Sequence, residues 1–236
     1  MKIKYYIVSL LFVAIATVLS VVATNQVAHR ATPQVSVEVA EVAEMEQYLI
    51  SPYDAMFQDV GAEYGIDWLL LSAIARAESE FRFDAVSKSG AVGLMQVMPF
   101  VARNMGYERE QLFNAQISIE IAAQLLHENN KMLRLSSDFD KGERLNFILA
   151  CYNAGYSRIA DARRLARHHQ ENANSWGVVQ KYLSLMSEEE YYEHELVKSG
   201  EFDGSEETIA YVSKVMRIYN VYKRRFSQFE SQEAKI

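Results

Sequence analysis

The chain has 236 residues, of which 50% are hydrophobic and 23% charged, and it contains 10 glycines and 3 prolines. This balance excludes disordered, collagen-like and low-complexity proteins, and the length suffices for one domain with a large buried core. Cys151 is the only cysteine, which excludes an intramolecular disulfide and multi-cysteine zinc or iron–sulfur sites. The net charge of −7 argues against a nucleic-acid-binding protein.

An uncharged, apolar segment at residues 5–23 follows Lys2 and Lys4 at the start of the chain. A signal peptide has an apolar region of about 7 to 15 residues, whereas a spanning helix needs about 17 to 25, so the length favours an uncleaved membrane anchor. Cleavage of a signal peptide after Ala23 is the alternative for residues 1–24, since the preceding residues fit a small-residue cleavage site. The two lysines predict that the rest of the chain faces out of the cytoplasm.

Residues 25–50 mix polar, small and acidic side chains around Pro33 without a sustained hydrophobic period. This composition predicts a tether, which at about 3.3 Å per extended residue can hold a domain tens of ångströms from a membrane. A helical stalk from Val37 onward is the alternative. We expect the folded part of the chain to begin near residue 51.

Helical patterns follow in chain order. Ser51 and Pro52 predict the start of a helix that ends near Gly65, and Asp67 predicts the cap of a second, more apolar helix. Pro99 is expected in the first turn of the next helix, which stops at Gly106, and later helices are predicted over residues 114–135, 141–152, 157–169, 175–186 and 205–229. An exposed excursion is expected at 187–206. The sequence therefore predicts a mainly α-helical single domain at 51–229, with a polar tail at 230–236.

Two histidine-containing sequences do not complete a metal site. His127-Glu128 would begin a zinc-protease motif, but the second histidine is missing because position 131 is Lys131. His168 and His169 are adjacent in a predicted helix, so they point about 100° apart and do not converge on one ligand. The histidines are therefore expected at the surface, and no metal site is predicted.

Glu78 is the unusual residue of the second predicted helix. The residues three, four and seven positions before it are apolar and share its face. A carboxyl group among apolar side chains has its neutral form favoured, which raises its pKa and prepares it to donate a proton near neutral pH. A buried glutamate paired with Arg76 or another cation is the structural alternative. Glu80 lies about 200° round the helix and is expected to be solvated.

Further residues after Glu78 form an ordered set of motifs: Ser79-Glu80-Phe81, Ser87, Ser89 to Gln96, Met98-Pro99, Tyr152 to Gly155, Glu207-Thr208 and Tyr211-Val212. In this order the set resembles the catalytic domain of the soluble-type (SLT) lytic transglycosylases, which have a goose-lysozyme-like fold and cleave bacterial peptidoglycan. Residues 161–165, Trp176 with Val179, and the tyrosine-rich last helix look most like the catalytic domain of membrane-bound lytic transglycosylase F. The resemblance covers residues 51 to about 226.

The resemblance implies a role for each matching residue. Glu78 matches the family's single catalytic acid, and Ser79 matches the neighbour that orients this acid. Met95 and Gln96 match the wall of the sugar cleft, where Gln96 contacts the N-acetylated sugar. The other matches lie beside the acid or line the cleft from the last helix: Tyr152, Asn153, Glu207 and Tyr211. Cys151 departs from the family's usual alanine and is expected to fill the core.

A single acid fits the reaction that the resemblance implies. Ordinary glycosidases use two carboxylates about 5 to 10 Å apart. A lytic transglycosylase uses Glu78 first as acid and then as base, and the muramic acid closes to a 1,6-anhydro ring. The alternatives are a goose-type lysozyme-like hydrolase, in which Asp84 or Glu207 holds a water, and an inactive peptidoglycan-binding scaffold.

The resemblance also sets expectations for partners and location. It implies peptidoglycan glycan strands as the substrate, with no metal, no cofactor and no nucleic acid. Together with the apolar segment at residues 5–23, it implies a domain at the periplasmic face of the cell envelope. That domain is either anchored to the inner membrane or released into the periplasm after cleavage.

Overall fold

The computed structural model of the chain describes the backbone of residues 49–233 and the side chains up to residue 228. The predicted anchor or signal peptide at 1–24 and most of the predicted tether at 25–50 lie outside this range. Within the described residues, no helix combines the length and the apolar character needed to cross a membrane.

The described part of the chain is built from α-helices joined by turns. In chain order these are α1 (Asp54–Tyr64), α2 (Trp68–Ser79), α3 (Pro99–Asn104), a 3-10 turn (Arg109–Phe113), α4 (Ala115–Leu133), α5 (Lys141–Ala154), α6 (Tyr156–His168), α7 (Trp176–Leu185), α8 (Glu189–Tyr192) and α9 (Ser205–Glu233). Residues 49–233 contain no β-strand, although isolated antiparallel bridges join Val92 to Val86 and to Val97. The predicted mainly α-helical class is confirmed.

Local capping explains where several helices begin and end. The Asp67 carboxylate accepts a hydrogen bond from the backbone N–H of Leu69 at 3.0 Å, and Asn114 and Asp140 cap α4 and α5 in the same way. Gly65 ends α1 with a φ of 66°, a left-handed conformation that glycine adopts without steric cost. The boundaries predicted from Gly65 and Asp67 are therefore confirmed.

The first helix begins at Asp54, so the prediction that Ser51 and Pro52 begin it is wrong. The Asp54 carboxylate accepts hydrogen bonds from the backbone N–H of Ile50 at 2.8 Å, from that of Ser51 at 3.0 Å and from the Ser51 hydroxyl at 2.7 Å. These bonds hold the residues before the helix in a turn, because an acidic side chain can satisfy backbone donors that a helix would otherwise use.

The hydrophobic core lies where α2 and α5 pack against α9. Leu71, Ile74, Phe147 and Val215 on these helices are 0% exposed. Burying a large apolar side chain stabilises a fold by about 1.5 to 3 kcal/mol. This packing brings the C-terminal ends of α2 and α5 to the first turns of α9, where the predicted site residues meet.

The segment between α7 and α9 is held to the domain more firmly than the sequence predicts. The Asp161 carboxylate is 0% exposed and accepts hydrogen bonds from Lys198 N at 3.0 Å, Ser199 N at 2.8 Å and Ser199 Oγ at 2.6 Å. Arg164 Nε also donates to Leu196 O at 2.8 Å. The expected exposed excursion is therefore confirmed, since most of residues 187–206 are exposed or half-buried, but α6 supplies a buried anchor that ties residues 196–199 to the domain.

Candidate active site

Glu78 lies in the last turn of α2 and borders a cleft of about 310 Å³. Its side chain is partly buried, whereas Ile74 and Ala75 in the preceding turn are 0% exposed. The cleft is lined by residues from α2, the following loop and the facing helices: Ser87, Ser89, Ala91, Gln96, Val97, Met98, Val101, Leu125, Tyr152, Asn153 and Glu207. A carboxyl group thus stands at the edge of an apolar core and faces a space that a ligand can enter.

The environment raises the pKa of Glu78 from an ordinary 4.5 to about 7. Burial is the main cause, because a charged carboxylate loses hydration there, and the nearby carboxylate of Glu207 adds to it. The hydroxyl of Tyr211 and the ammonium group of Lys214 act in the opposite direction and favour the charged form. A group with this pKa can both donate and accept a proton near neutral pH.

Arg76 is not the partner of Glu78. Its guanidinium is exposed and lies over the ring of Phe81, 6.0 Å from the ring centre. The cation that acts on Glu78 is Lys214 of α9, which the sequence does not single out. The alternative in which Arg76 neutralises the acid is therefore wrong for the described residues.

Two predicted site residues, Ser79 and Met95, do not border the cleft. They hold the loop between α2 and α3 (residues 80–98), which forms one wall of the cleft. Ser79 is 2% exposed and donates to Leu94 O at 2.7 Å, so it joins the end of α2 to the loop. Met95 is 0% exposed, its N–H donates to Ser118 Oγ at 3.1 Å, and its carbonyl accepts from Tyr152 Oη at 2.8 Å. Ser79 and Met95 therefore position the wall through hydrogen bonds between side-chain hydroxyls and the backbone.

Gly93 lets the loop pass close to the 3-10 turn. Its φ is 81°, and a Cβ placed on it would lie 2.0 Å from the carbonyl oxygen of Leu112. Only glycine fits this combination of a left-handed backbone and a close approach. The motif glycine is thus a steric requirement of the wall that carries Gln96.

Gln96 borders the cleft with its side-chain orientation fixed. Its Nε2 donates to Gly93 O at 2.9 Å and to Ala85 O at 3.2 Å, so the amide nitrogen must face these two carbonyl oxygens. The amide oxygen has no protein donor among the described residues and remains available to a donor on a ligand. An N-acetyl N–H is one such donor.

Asn153 also borders the cleft, and a hydrogen bond orients its amide. Its Oδ1 accepts from the hydroxyl of Thr208 at 2.8 Å, which leaves the amide N–H groups for a ligand. Thr208 is 1% exposed, and its hydroxyl also lies 2.9 Å from Gly204 O, so the two acceptors share its single proton and Thr208 ties α5 to the start of α9. Thr208 belongs to one of the sequence motifs, but no role is predicted for it from the sequence.

Two tyrosines lie beside the acid. The pKa values of Tyr152 and Tyr211 are both raised well above 10, first by burial and then by the charge of Glu78. Tyr211 is 8% exposed, and its hydroxyl lies close enough to Glu78 to act on its pKa. No atom of the described residues forms a hydrogen bond of ordinary geometry with this hydroxyl. Both side chains therefore act as neutral hydroxyl groups at neutral pH.

The other acidic and nucleophilic candidates are placed differently. The helix ends at Ser79, so Glu80 does not lie 200° round it as predicted, but Glu80 is exposed as expected, with a left-handed φ of 54°. Asp84 is exposed and does not border the cleft, which leaves Glu207 as the second carboxylate there. Burial raises the pKa of the Cys151 thiol to about 12, which confirms its expected role as core filling.

No group of three or more histidine, cysteine, aspartate or glutamate residues within 49–228 is arranged to hold a metal ion. The polar groups at the cleft are instead amides, hydroxyls and carboxyls. This set suits an uncharged polar ligand that is bound by hydrogen bonds.

Comparison with known proteins agrees with this arrangement. The family described as the transglycosylase SLT domain matches residues 55–175. Membrane-bound lytic murein transglycosylase F of Marinobacter nauticus is 33% identical over 73% of this chain and 33% of its own length. Membrane-bound lytic murein transglycosylase F 1 of Alkalilimnicola ehrlichii is 34% identical over 59% of this chain and 28% of its own length. The chain therefore spans about a third of the length of these curated relatives.

Solved structures share the fold. The 70 kDa soluble lytic transglycosylase SLT70 of Escherichia coli superposes with a TM-score of 0.50 at 24% identity, over 77% of this chain and 25% of that one. An inactive mutant of the lytic transglycosylase Slt of Pseudomonas aeruginosa gives 0.50 at 22% identity, over 82% of this chain and 28% of that one. These likenesses confirm the predicted lysozyme-like fold class.

Proposed function

The chain belongs to the transglycosylase SLT domain family, and from this membership and the geometry of the cleft we propose that it is a peptidoglycan lytic transglycosylase. Its domain would span residues 51–229 and cleave the β-1,4 bond from N-acetylmuramic acid to N-acetylglucosamine. The observation that carries the proposal is one carboxyl group, Glu78, with a pKa of about 7 at the edge of a cleft lined by oriented amides.

In the first step, Glu78 acts as a general acid. Its protonated carboxyl group donates to the glycosidic oxygen, the bond from C1 of the muramic acid to that oxygen breaks, and the glucosamine leaves as an alcohol. Positive charge develops at C1, and the N-acetyl group of the same muramic acid stabilises this charge. The raised pKa supports this role, because about half of the Glu78 population carries the proton near pH 7.

In the second step, the Glu78 carboxylate acts as a general base. It removes the proton from the C6 hydroxyl of the same muramic acid, and the C6 oxygen forms a bond to C1. The product is a 1,6-anhydro ring, and Glu78 regains its proton. No water is consumed, so one carboxyl group suffices where a hydrolase uses two.

The neighbouring residues bind and orient the sugars in this proposal. The free amide oxygen of Gln96 and the free amide N–H groups of Asn153 hold the N-acetyl groups of the substrate in the cleft. Tyr211 stabilises the carboxylate that forms in the first step. Ser79, Met95 and Tyr152 keep the wall in place.

A goose-type lysozyme-like hydrolase is the second candidate, because Glu207 gives the cleft another carboxylate. In such a hydrolase, Glu207 would hold the water that attacks C1. Asp84 cannot take this role because it does not border the cleft. An inactive peptidoglycan-binding scaffold is disfavoured by the raised pKa of Glu78, since a site without catalysis has no need of a desolvated acid.

Mass spectrometry of released muropeptides distinguishes the candidates. We expect residues 30–236, incubated with isolated peptidoglycan, to release fragments that end in 1,6-anhydro-muramic acid. Fragments with a reducing end carry one more water and would establish the hydrolase. The absence of any released fragment would favour the binding scaffold.

We also propose the location that the sequence predicts. The domain would act at the periplasmic face of the inner membrane, held there by residues 5–23 or released after their removal. The names of the curated relatives, which are membrane-bound murein transglycosylases, support this location.

A further inference from the structure

Helix α9 presents three polar side chains to Glu78 at regular spacing. Glu207, Tyr211 and Lys214 are separated by four and then three positions, which places them on one face of the helix over two turns. All three act on the Glu78 carboxyl group. One face of α9 therefore sets a negative charge, a hydroxyl and a positive charge along the end of α2.

Lys214 also makes a direct bond to the turn that carries the acid. Its Nζ donates to Ala77 O at 2.6 Å, one residue before Glu78. This carbonyl has lost its usual helical partners, because the N–H groups of Glu80 and Phe81 both turn to Ala75 O. A cation that binds a terminal carbonyl of a helix satisfies the acceptor and interacts favourably with the helix dipole.

Besides its bond to Ala77, Lys214 acts electrostatically on the charged state of Glu78. When Glu78 gives up its proton, a carboxylate forms at a partly buried position, and the nearby positive charge of the exposed Lys214 reduces that cost. Glu207 works against this stabilisation, and the hydroxyls of Tyr211 from α9 and Tyr152 from α5 complete the groups that face Glu78. The charge of Lys214 keeps the acid from holding its proton too tightly.

We propose that Lys214 is a positioning residue of the site, which fixes the last turn of α2 through Ala77 and stabilises the Glu78 carboxylate between the two proton transfers. This role rests on the proposed function of Glu78 as the acid and base. Neither the motif set nor the family resemblance marks Lys214. Its signal in the sequence is a cation three positions after Tyr211 and seven after Glu207.

Titration of Glu78 without substrate tests the proposal directly. The carboxyl carbons of glutamate are labelled with ¹³C, and the Glu78 resonance is assigned by its loss in Glu78→Gln. In Lys214→Met we expect the pKa of Glu78 to rise above its starting value of about 7. Lys214→Arg keeps the charge and should keep the pKa near that of the unchanged protein.

The control is Lys223→Met, which removes a lysine from the same helix. Lys223 is exposed, its Nζ lies 5.4 Å from the ring centre of Tyr219, and it borders no part of the cleft. This variant should leave the pKa of Glu78 and the turnover unchanged. A general loss of helix charge is thereby separated from the specific effect of Lys214.

Turnover of peptidoglycan supplies the second measurement. In Lys214→Met we expect kcat at pH 7 to fall about 3- to 10-fold with KM little changed, the pH of maximal rate to move upward, and Lys214→Arg to restore most of the rate. An unchanged Glu78 titration in Lys214→Met overturns the proposal. Equal loss of kcat and of melting temperature in the Met and Arg variants also overturns it, because that pattern marks a purely structural residue.

A failure of the proposed function would give a different experimental result from a failure of the proposal for Lys214. Reducing-end products from the unchanged protein would replace the transglycosylase by a hydrolase. The Glu78 titration uses no substrate, so it still decides whether Lys214 acts on Glu78.

Discussion

At the scale of single residues, the proposed chemistry depends on a carboxyl group that must lose and regain a proton in each cycle. Burial alone would hold the proton on Glu78, and the carboxylate of Glu207 strengthens that tendency. Tyr211 and Lys214 offset part of it. The balance places the pKa at about 7, where both protonation states are populated at neutral pH.

Replacing the acid by its amide tests this dependence. Glu78→Gln keeps the size and polarity of the side chain but can neither donate nor accept the proton, so we expect turnover to fall by about 10²- to 10⁴-fold or more. Release of muropeptides measures the loss, and circular dichroism checks the fold. Glu80→Gln is the matched control, since Glu80 is exposed, and it should stay within a few-fold of the unchanged protein. Near-full activity in Glu78→Gln would mean that the acid lies elsewhere.

The raised pKa of Glu78 also predicts how stability depends on pH. The folded state binds the proton more tightly than the unfolded state, so the favourable contribution of Glu78 is complete below pH 4.5 and is lost as pH rises to about 7. Glutamine does not titrate. We therefore expect the melting temperature of Glu78→Gln to match that of the unchanged protein near pH 4.5 and to exceed it above pH 7. A difference that does not change with pH would contradict the raised pKa.

At the scale of secondary-structure elements, the sequence predicts what local chemistry determines. Asp67 caps α2 through a bond to Leu69 two residues away, and Pro99 opens α3 through its own ring. Such contacts can be recognised in a short stretch of sequence. The apolar face that carries Glu78 follows from the helical period for the same reason.

Contacts between distant residues could not be predicted in this way. Ser79 bonds to Leu94 and Lys214 bonds to Ala77, but nothing local in the sequence pairs them. Family resemblance indicates that Ser79 matters, yet its bond goes to the cleft wall and not to the acid. The anchored segment at residues 196–199 was missed because its partner, Asp161, lies on another helix.

The loop between α2 and α3 makes a prediction at this scale. Gly93→Ala combines a left-handed φ of 81° with a Cβ placed 2.0 Å from Leu112 O. The backbone cost of about 1 to 2 kcal/mol and the overpacking cost of about 1 to 3 kcal/mol predict a loss of about 2 to 5 kcal/mol in the free energy of unfolding. Urea denaturation measures it.

Gly90→Ala is the matched control for this loop. Gly90 has a φ of 90°, but a Cβ there would have no atom within 4 Å. Only the backbone cost of about 1 to 2 kcal/mol is therefore expected. Equal losses in the two variants would show that the close approach to Leu112 does not constrain the wall.

At the scale of the whole molecule, the groups that the proposed reaction needs all lie within residues 78–214. The segments predicted to target and tether the protein, at 1–24 and 25–50, lie outside this range. The helices described within residues 49–233 contain no membrane-spanning candidate. Catalysis and location are therefore expected to be separable properties of the chain.

Removal of residues 1–24 tests this separation. The apolar run at 5–23 has the length of a spanning helix, so the full chain should appear in the membrane fraction, whereas the shortened chain should be soluble. Both should release muropeptides from isolated peptidoglycan at the same rate, since isolated peptidoglycan is free of the membrane and the anchor is not needed to reach it. Intact mass spectrometry of the full chain from cells decides between anchor and signal peptide. A mature N-terminus at Thr24 would refute the uncleaved anchor, and lost activity in the shortened chain would refute the separation.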